Sequence, residues 1–220
     1  MKKTVIVTDW AGVLAGAMSP VIVFALSCLK KHLGVVLTKD ELKEKMVIFR
    51  QFPFRVALKM VFSQADERLI NACADEFDAN LIAVVGPKVE TIAGVKGTLQ
   101  SLNVLDKIES LKVIISSAAP LKLVEWWAHK EGLMPYITEI CCIEGGDKQQ
   151  HLREIRENYP GWEIIFISDE PGEMNLGKMN PDDISIGVAL PGQEEKYFDS
   201  GADKVIYSFQ EILEIDIGAT

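Results

Sequence analysis

The chain has few of the residues that build zinc centres and disulfide frameworks. Its four cysteines and three histidines are Cys28, Cys73, Cys141, Cys142, His32, His129 and His151. They form no CxxC pair and lack the short Cys/His spacing that zinc sites require. We therefore expect no zinc site, and we interpret the cysteines as reduced residues in the core of a cytoplasmic protein.

Positive charge is also scarce. The 23 Lys and Arg residues are outnumbered by 32 Asp and Glu residues, which gives a formal net charge of -9. This balance leaves no basic stripe to neutralise a nucleic-acid backbone or an anionic membrane, so neither is an expected partner. A small molecule is the expected partner. An anionic one would need positive charge supplied locally, by a metal ion, Lys, Arg or a helix N-terminus.

The uncharged stretch at residues 10–29 imitates a signal peptide or a membrane span. However, the carboxylate of Asp9 directly precedes it, and Gly12 and Pro20 interrupt it. Ser19 followed by Pro20 is typical of a helix start, because proline is tolerated in the first helical turn. We therefore expect a strand, a loop and a buried helix here, and no membrane association.

Internal repeats and low-complexity segments are absent, and short apolar runs alternate with helical patterns instead. The predicted strands are 4–8, 112–116, 137–143, 163–168, 184–190 and 204–208, and the predicted helices are 94–103, 121–131, 148–158, 172–179, 193–200 and 210–214. Strands that alternate with helices favour a parallel sheet covered on both faces. The sequence therefore predicts an α/β core with a Rossmann-like, doubly wound parallel sheet.

Residues 16–88 break this alternation. The helical patterns there are 20–32, 39–50, 54–62 and 64–83, with no convincing strand between them. We interpret 16–88 as a helical cap subdomain and residues 1–15 with 89–220 as the core domain. A segment inserted after the first strand lies above the carboxyl ends of the strands, where open sheets bind ligands.

Polar residues follow four of the apolar runs, where they would face the crevice at the sheet edge. They are Asp9, the pair Ser116 and Ser117, Lys148, and Asp169 with Glu173. Carboxylate oxygens suit Mg²⁺, which is held by few protein ligands together with water and substrate phosphate. A lysine and serines could hold the remaining phosphoryl oxygens. The sequence therefore predicts Mg²⁺ as cofactor and a phosphoryl group on the substrate.

The order of these residues resembles the four motifs of the haloacid-dehalogenase superfamily over essentially the whole chain. The matching segments are Asp9-Trp10-Ala11-Gly12-Val13-Leu14, Ser116, Lys148 and Ser168-Asp169-Glu170-Pro171-Gly172-Glu173. The resemblance implies a hydrolase in which Asp9 attacks phosphorus and water then hydrolyses the aspartyl-phosphate.

The resemblance also distributes roles among the candidate residues. The implied catalytic residues are Asp9, Ser116 and Lys148, and the implied metal ligands are Asp9, the backbone carbonyl of Ala11, Asp169 and Glu173. We expect the substrate to contact Trp10, Gly12, Arg50 and Ser117.

Ala11 departs from the usual pattern. Phosphatases of this superfamily carry a second Asp there, which protonates the leaving group and then activates water. Alanine cannot transfer a proton, so ordinary phosphomonoester hydrolysis should lose a factor of roughly 10² to 10⁴. The metal site would survive, because the backbone carbonyl remains.

The run Asp9-Trp10-Ala11-Gly12 is similar to the first motif of phosphonoacetaldehyde hydrolase, the phosphonatase branch. In that branch a cap lysine forms a Schiff base with the substrate. Arg50 stands at the corresponding place here, and a guanidinium cannot form an imine. Lys45 or Lys59 could serve only under a shifted alignment, and Arg50 could instead clamp a carboxylate or a second phosphate.

Two alternatives stay open. The 2-haloacid dehalogenases also lack the second Asp and use a cap arginine, but they would not need Asp169 and Glu173 and usually carry an aromatic residue at the Ala11 position. The chain could also be a binding or regulatory protein that has kept the fold and lost turnover. Phosphonatase-like relatives often dimerise through their caps, and the uncharged helix at 20–29 would suit such an interface or simple burial within the cap.

Overall fold

A computed structural model of the chain describes residues 3–16, 18–106 and 110–215, and its centre is a six-stranded sheet. The described strands, in chain order, are β1 (Thr4–Thr8), β2 (Ala15–Gly16), β3 (Glu90–Thr91), β4 (Leu111–Ser116), β5 (Glu139–Cys141), β6 (Glu163–Ser168), β7 (Ile184–Val188) and β8 (Lys204–Ile206). Six of them form this sheet, and β2 and β3 pair separately. The sheet has the order β5-β4-β1-β6-β7-β8, and every pair in it is parallel. This confirms the predicted α/β fold with a doubly wound, Rossmann-like parallel sheet.

The strands bury both faces of the sheet, which explains their continuous apolar runs. All five residues of β1 are buried. Ile6 packs into one hydrophobic cluster, whereas Val5 and Val7 pack into a second cluster. In the parallel register, Thr8 lies beside Ile115 of β4 and Ile167 of β6. The residues that follow these three positions therefore emerge together at the carboxyl edge of the sheet.

Four helices form the segment predicted as the cap: α1 (Met18–Leu33), α2 (Lys39–Phe49), α3 (Phe54–Val61) and α4 (Glu67–Val85). The α2 helix starts with a capping box between Thr38 and Glu41, which satisfies two backbone donors that a helix start leaves free. The α1 helix turns Phe24 and Cys28 into the cap interior. Burial within the chain therefore explains the lack of charge in much of this stretch. A dimer formed through the cap stays a prediction.

The two connections between cap and core run side by side. Ala15 pairs with Thr91 and Gly16 pairs with Glu90, so that β2 and β3 form a short antiparallel ladder. Two-residue strands have no readable periodicity, and the sequence patterns did not predict them. This ladder lies at the two ends of the segment predicted as the cap.

The remaining helices cover the sheet. They are α5 (Val95–Asp106), α6 (Leu121–Lys130), α7 (Lys148–Asn158) and α8 (Glu194–Asp199). The predicted helices at 172–179 and 210–214 are 3₁₀ helices, Pro171–Gly177 and Phe209–Glu214. The first of these segments passes close to β6 at its end, since a Cβ on Gly177 would lie 2.4 Å from the Cβ of Phe166.

Among the described residues, no helix has both the length and the apolar character needed to cross a bilayer. The uncharged stretch that imitated a span is followed by Lys30, Lys31 and His32, within the last turn of α1. These side chains meet the negative end of the helix dipole, which favours positive charge.

We predict that cap stability depends on Leu81, which is fully buried in α4. Leu81→Ala leaves a cavity and should cost about 2–5 kcal/mol in the free energy of unfolding. Leu69→Ala is the matched control, because Leu69 lies on the same helix and is 45% exposed; its cost should stay within about 0.5 kcal/mol. Urea denaturation measures both, and equal costs would contradict the packing described above.

Candidate active site

Asp9, Lys148 and Glu173 form a buried group of charges at the carboxyl edge of the sheet. The Lys148 ammonium lies 2.6 Å from Oδ2 of Asp9 and 2.6 Å from Oε2 of Glu173. The side chains of Asp9 and Lys148 are each 9% exposed. One cation is therefore shared by two carboxylates that emerge from different elements, and this fixes β1 against the start of α7 and the 3₁₀ helix at Pro171–Gly177.

Local structure explains how each side chain arrives there. Asp9 follows β1, and its backbone N–H donates to the carbonyl of Ile167 in β6 at 2.8 Å. Lys148 is the first residue of α7, which Asp147 caps through a hydrogen bond from the N–H of Gln150. The N–H of Trp10 donates to Oδ1 of Asp9 at 2.7 Å. The two carboxylate oxygens of Asp9 therefore face different donors.

The pKa values of this group reflect competition between burial and charge. Burial raises the pKa of Asp9, and Lys148 opposes this shift. Burial alone would lower the pKa of Lys148, but Asp9 and Glu173 together raise it above its ordinary value. Lys148 therefore carries its positive charge at neutral pH, where it can attract an anion.

Ser168, which sequence reasoning did not assign to the site, organises the loop after β6. Its hydroxyl donates to Oε2 of Glu173 at 2.6 Å and accepts from the N–H of Glu170 at 3.1 Å. Ser168 is fully buried. Its position at the end of β6, one residue beyond the partner of Thr8 in the register, is the signal that could have identified it.

Asp169 lies beside Asp9 with a different environment. Partial burial and the negative charge of Asp9 raise the pKa of Asp169 to about 6. Among the described residues, no side chain pairs with its carboxylate, whereas the phenol of Tyr197 lies 2.7 Å from its backbone carbonyl. Tyr197 is a second supporting residue that the sequence did not indicate. Asp169 is therefore anchored through its backbone carbonyl.

Gly12 gives Asp169 the space it occupies. Its φ is 85°, and a Cβ added there would lie 1.9 Å from Oδ2 of Asp169. Both the backbone conformation and the close approach favour glycine. Gly12 therefore acts on the site through the position of Asp169, and it is not among the residues that line the cavity.

A cavity of about 410 Å³ opens above these charges, between core and cap. From the predicted set, it is lined by Asp9, Ala11, Arg50, Ser117, Lys148, Asp169 and Glu173. Arg50 comes from the cap, and its Nη1 lies 2.9 Å from Oε2 of Glu170 in the core. This ion pair links cap and core at the cavity. Both side chains are nearly half exposed, so its contribution to stability is small.

Trp10 and Ser116, two of the predicted site residues, do not line the cavity. Trp10 is fully buried in the core, with its ring edge-on to Trp127. Ser116 is also fully buried, and its hydroxyl donates to Nδ1 of His151 at 2.9 Å while Nε2 of His151 donates to the carbonyl of Cys142. The cavity is lined by the neighbouring Ser117 and not by Ser116.

Strand geometry gives the reason for these differences. Successive side chains along an extended chain point to opposite sides, so the serine one position further along reaches the cavity. Trp10 follows Asp9 in the same way and turns its large ring into the core. In the structure Trp10 is therefore a packing residue and Ser116 supports α7, and their predicted roles in the site stay predictions.

The cap lysines considered as Schiff-base candidates are also outside the cavity lining. The Lys45 ammonium lies 6.0 Å from the ring centroid of Phe62, and Lys59 pairs with Glu67 at 2.7 Å. Lys148 is the one lysine among the described residues that line the cavity, and it belongs to the core.

The predicted metal ligands match Mg²⁺ in chemistry. Asp9, Asp169 and Ala11 offer two carboxylates and a backbone carbonyl along one cavity, an all-oxygen set. Burial is the first cause of the raised pKa values of both aspartates, and a bound cation would favour their ionised forms. Glu173 is engaged by Lys148 and Ser168, and the described residues contain no group of three or more Asp, Glu, His or Cys side chains gathered closely enough to hold a metal. The fit therefore rests on Asp9 and Asp169 with the carbonyl of Ala11.

The parallel sheet and the four helices inserted between β2 and β3 define an α/β protein with a Rossmann-like fold. Models of known protein families and curated proteins give no match to the chain, whereas solved structures match it over nearly its full length.

A protein described as a predicted phosphatase from Clostridium acetobutylicum is similar, with 17% identity, a TM-score of 0.68 and coverage of 98% of this chain and 100% of that one. A haloacid dehalogenase-like hydrolase from Bacteroides fragilis has 14% identity, a TM-score of 0.71 and coverage of 96% and 100%. A magnesium-bound hydrolase of the same superfamily from Bacillus subtilis has 14% identity, a TM-score of 0.64 and coverage of 97% and 98%. At these identities the likeness establishes the fold.

We predict that Gly12 is required for the position of Asp169, beyond the demand of its backbone angle. Gly34 is the matched control, because its φ is 65° and a Cβ there would meet nothing within 4 Å. Gly34→Ala should cost about 1–2 kcal/mol from the left-handed conformation alone. Gly12→Ala should cost about 1–3 kcal/mol more, because the added methyl group displaces a carboxylate.

Chemical denaturation measures both costs, and a crystal structure of Gly12→Ala should contain a displaced Asp169 side chain. Equal destabilisation by the two substitutions would rule out the close contact between Gly12 and Asp169.

Proposed function

We propose that the protein is a hydrolase of the haloacid-dehalogenase superfamily that acts on a small phosphorylated or phosphono metabolite, with Asp9 as the nucleophile. The observation that carries the proposal is the buried Asp9 carboxylate, 2.6 Å from the Lys148 ammonium, on the wall of a cavity between core and cap. A buried carboxylate next to a fixed cation is suited to attack an anionic phosphoryl group, because the cation offsets the repulsion between the two.

In the proposed reaction an oxygen of Asp9 attacks phosphorus and the bond from phosphorus to the leaving group breaks. Water then attacks the aspartyl-phosphate, which releases phosphate and restores the carboxylate. Lys148 stabilises the negative charge of the phosphoryl oxygens, and Ser117 offers a hydroxyl donor on the same cavity wall. The N–H of Trp10 holds one oxygen of Asp9 and thereby fixes the orientation of the carboxylate.

Mg²⁺ is the proposed cofactor, held by Asp9, Asp169 and the carbonyl of Ala11. When bound, it neutralises charge on the phosphoryl group and on the two carboxylates. Asp169 must be ionised to act as a ligand. The pKa of Asp169 is raised to about 6. Cation binding at this site should therefore strengthen as the pH rises through that value and Asp169 ionises.

Ala11 restricts the substrates that such a site can turn over. A leaving group that needs a proton would depart slowly, because no carboxylic acid stands at this position. Leaving groups that are stable as anions, such as the carboxylate of an acyl phosphate, need little protonation. The proposed substrate class is therefore one with a good leaving group.

The phosphonatase chemistry and the dehalogenase chemistry have less support. The described cavity lining has no lysine from the predicted cap, where the imine-forming lysine would stand, and Arg50 is paired with Glu170. A metal-free dehalogenation would leave the unpaired carboxylate of Asp169 without a role. A second candidate function is ligand binding without turnover, which is favoured by the same absence of a proton donor at Ala11.

A substrate panel tests the proposal. We expect the protein to hydrolyse acetyl phosphate in a Mg²⁺-dependent reaction and Asp9→Asn to abolish it, because an amide is a poor nucleophile. Asp199→Asn is the matched control, because Asp199 is an exposed residue of α8. Phosphate release from acetyl phosphate, p-nitrophenyl phosphate and phosphonoacetaldehyde, with and without Mg²⁺, is the measurement. Full activity of Asp9→Asn would refute the proposal, and tight binding without any turnover would favour the binding function.

We further predict that Ala11→Asp supplies the missing acid. It should raise hydrolysis of phenyl phosphate, whose leaving group needs a proton, by about 10² to 10⁴. Hydrolysis of acetyl phosphate should change much less. Ala11→Asn is the matched control of similar size, because an amide cannot transfer the proton. Equal effects of Asp and Asn on the two substrates would show that leaving-group protonation does not limit this enzyme.

A further inference from the structure

A second, apolar chamber adjoins the catalytic cavity on the cap side. It has a volume of about 80 Å³, and its walls come from the cap helices and from the core segment that includes Ala118 and Ala119. The two spaces share Met18, Arg50, Ala118 and Ala119 as lining residues. The chamber is therefore a side compartment of the site and not an isolated void.

The walls of the chamber differ in chemistry from those of the catalytic cavity. Arg50 is its one polar lining side chain among the described residues; the others are aliphatic or aromatic. The catalytic cavity is lined by Asp9, Lys148 and Asp169 among further charged groups. A ligand that fills both spaces would place a polar head in the charged cavity and a hydrocarbon group in the chamber, and under the proposed function that head is the phosphoryl group.

Aromatic packing makes the chamber a fixed shape. The ring centroids of Phe54 and Phe77 lie 4.1 Å apart, and those of Phe49 and Phe54 lie 5.7 Å apart. Phe49 and Phe54 are only partly buried, as are Leu42 and Met46 on the chamber wall. Their remaining apolar surface would be covered by a hydrocarbon group, which gains affinity in proportion to the area removed from water.

Arg50 stands where the two spaces meet. Its guanidinium is turned to Glu170 at 2.9 Å, while the residue lines both compartments. A long side chain can cover apolar surface with its methylene stem and keep its charge in a polar environment. Arg50 can therefore separate the polar part of the site from the apolar part.

We propose that this chamber is the subsite for the hydrocarbon part of the substrate. This inference rests on the proposed function and narrows it to phosphates or phosphonates that carry a short aliphatic or aromatic group, with an acyl phosphate as the class that also fits Ala11. A chamber of about 80 Å³ is small, so the hydrocarbon group is short.

Binding of alkylphosphonates tests the subsite without requiring turnover. Methylphosphonate, ethylphosphonate, propylphosphonate and butylphosphonate are titrated into the protein with Mg²⁺ by calorimetry. We expect affinity to increase about fourfold for each added methylene. Ala25→Phe fills the chamber from α1 and should remove this increase while methylphosphonate still binds.

Val23→Phe is the matched control, because Val23 lies on the same helix, is 62% exposed and does not line the chamber. It should keep the dependence on chain length. Leu42→Ala enlarges the chamber and should move the tightest binding to a longer chain than the unchanged protein prefers, with pentylphosphonate and hexylphosphonate added to the series for both proteins. This comparison keeps the test decisive if Ala25→Phe does not fold.

The outcomes separate the two proposals. Equal affinity for all the alkylphosphonates, or equal behaviour of Ala25→Phe and Val23→Phe, overturns the hydrocarbon subsite and leaves the proposed function standing. Failure of every phosphonate to bind, methylphosphonate included, overturns both.

Discussion

The ion pair between Asp9 and Lys148 is the interaction on which the rest of the site depends. Two charges removed from water are costly unless each finds a partner in good geometry. Here the lysine satisfies two carboxylates at 2.6 Å each, from the end of β1 and from the 3₁₀ helix that follows β6. The loss of one partner would leave a buried charge without compensation. The shared lysine therefore links the end of β1, the start of α7 and the loop that carries Asp169. Ser168 and Tyr197 add hydrogen bonds to this loop.

Much of the core could be predicted from the sequence, because buried parallel strands form continuous apolar runs. The predicted strands at 4–8 and 163–168 have the same bounds as β1 and β6, and α7 has the predicted bounds 148–158. The ladder of β2 and β3 was not predictable, since two residues have no period. The direction of a side chain could not be predicted either. Ser116 and Ser117 are chemically equivalent in the sequence, and only the alternation of side chains along the extended backbone decides which of them lines the cavity.

The supporting residues were missed for a related reason. Tyr197 lies far from the motif residues in the chain and meets Asp169 only through tertiary packing. His151 is close to Lys148 in the chain, but its partner Ser116 comes from another element. His151 stands one helical turn after Lys148 on α7 and bonds Ser116 at the end of β4. It therefore orients the helix that carries Lys148. A motif search identifies the residues that carry charge, whereas the residues that hold them in place have no fixed spacing.

Ala11 and the apolar chamber independently support the same proposed class of substrate. Under the proposed function, Ala11 leaves this position without a proton donor, so turnover would be limited to leaving groups that depart as stable anions. In the proposed subsite, the chamber lined by Phe49, Phe54 and Met46 would limit the part of the substrate beyond the phosphoryl group to a short hydrocarbon. An acyl phosphate with a short chain satisfies both limits, since its leaving carboxylate needs little protonation and its chain reaches past Arg50. A sugar phosphate satisfies neither, because its alkoxide requires an acid and its hydroxyl groups would lose their hydrogen bonds against an apolar wall.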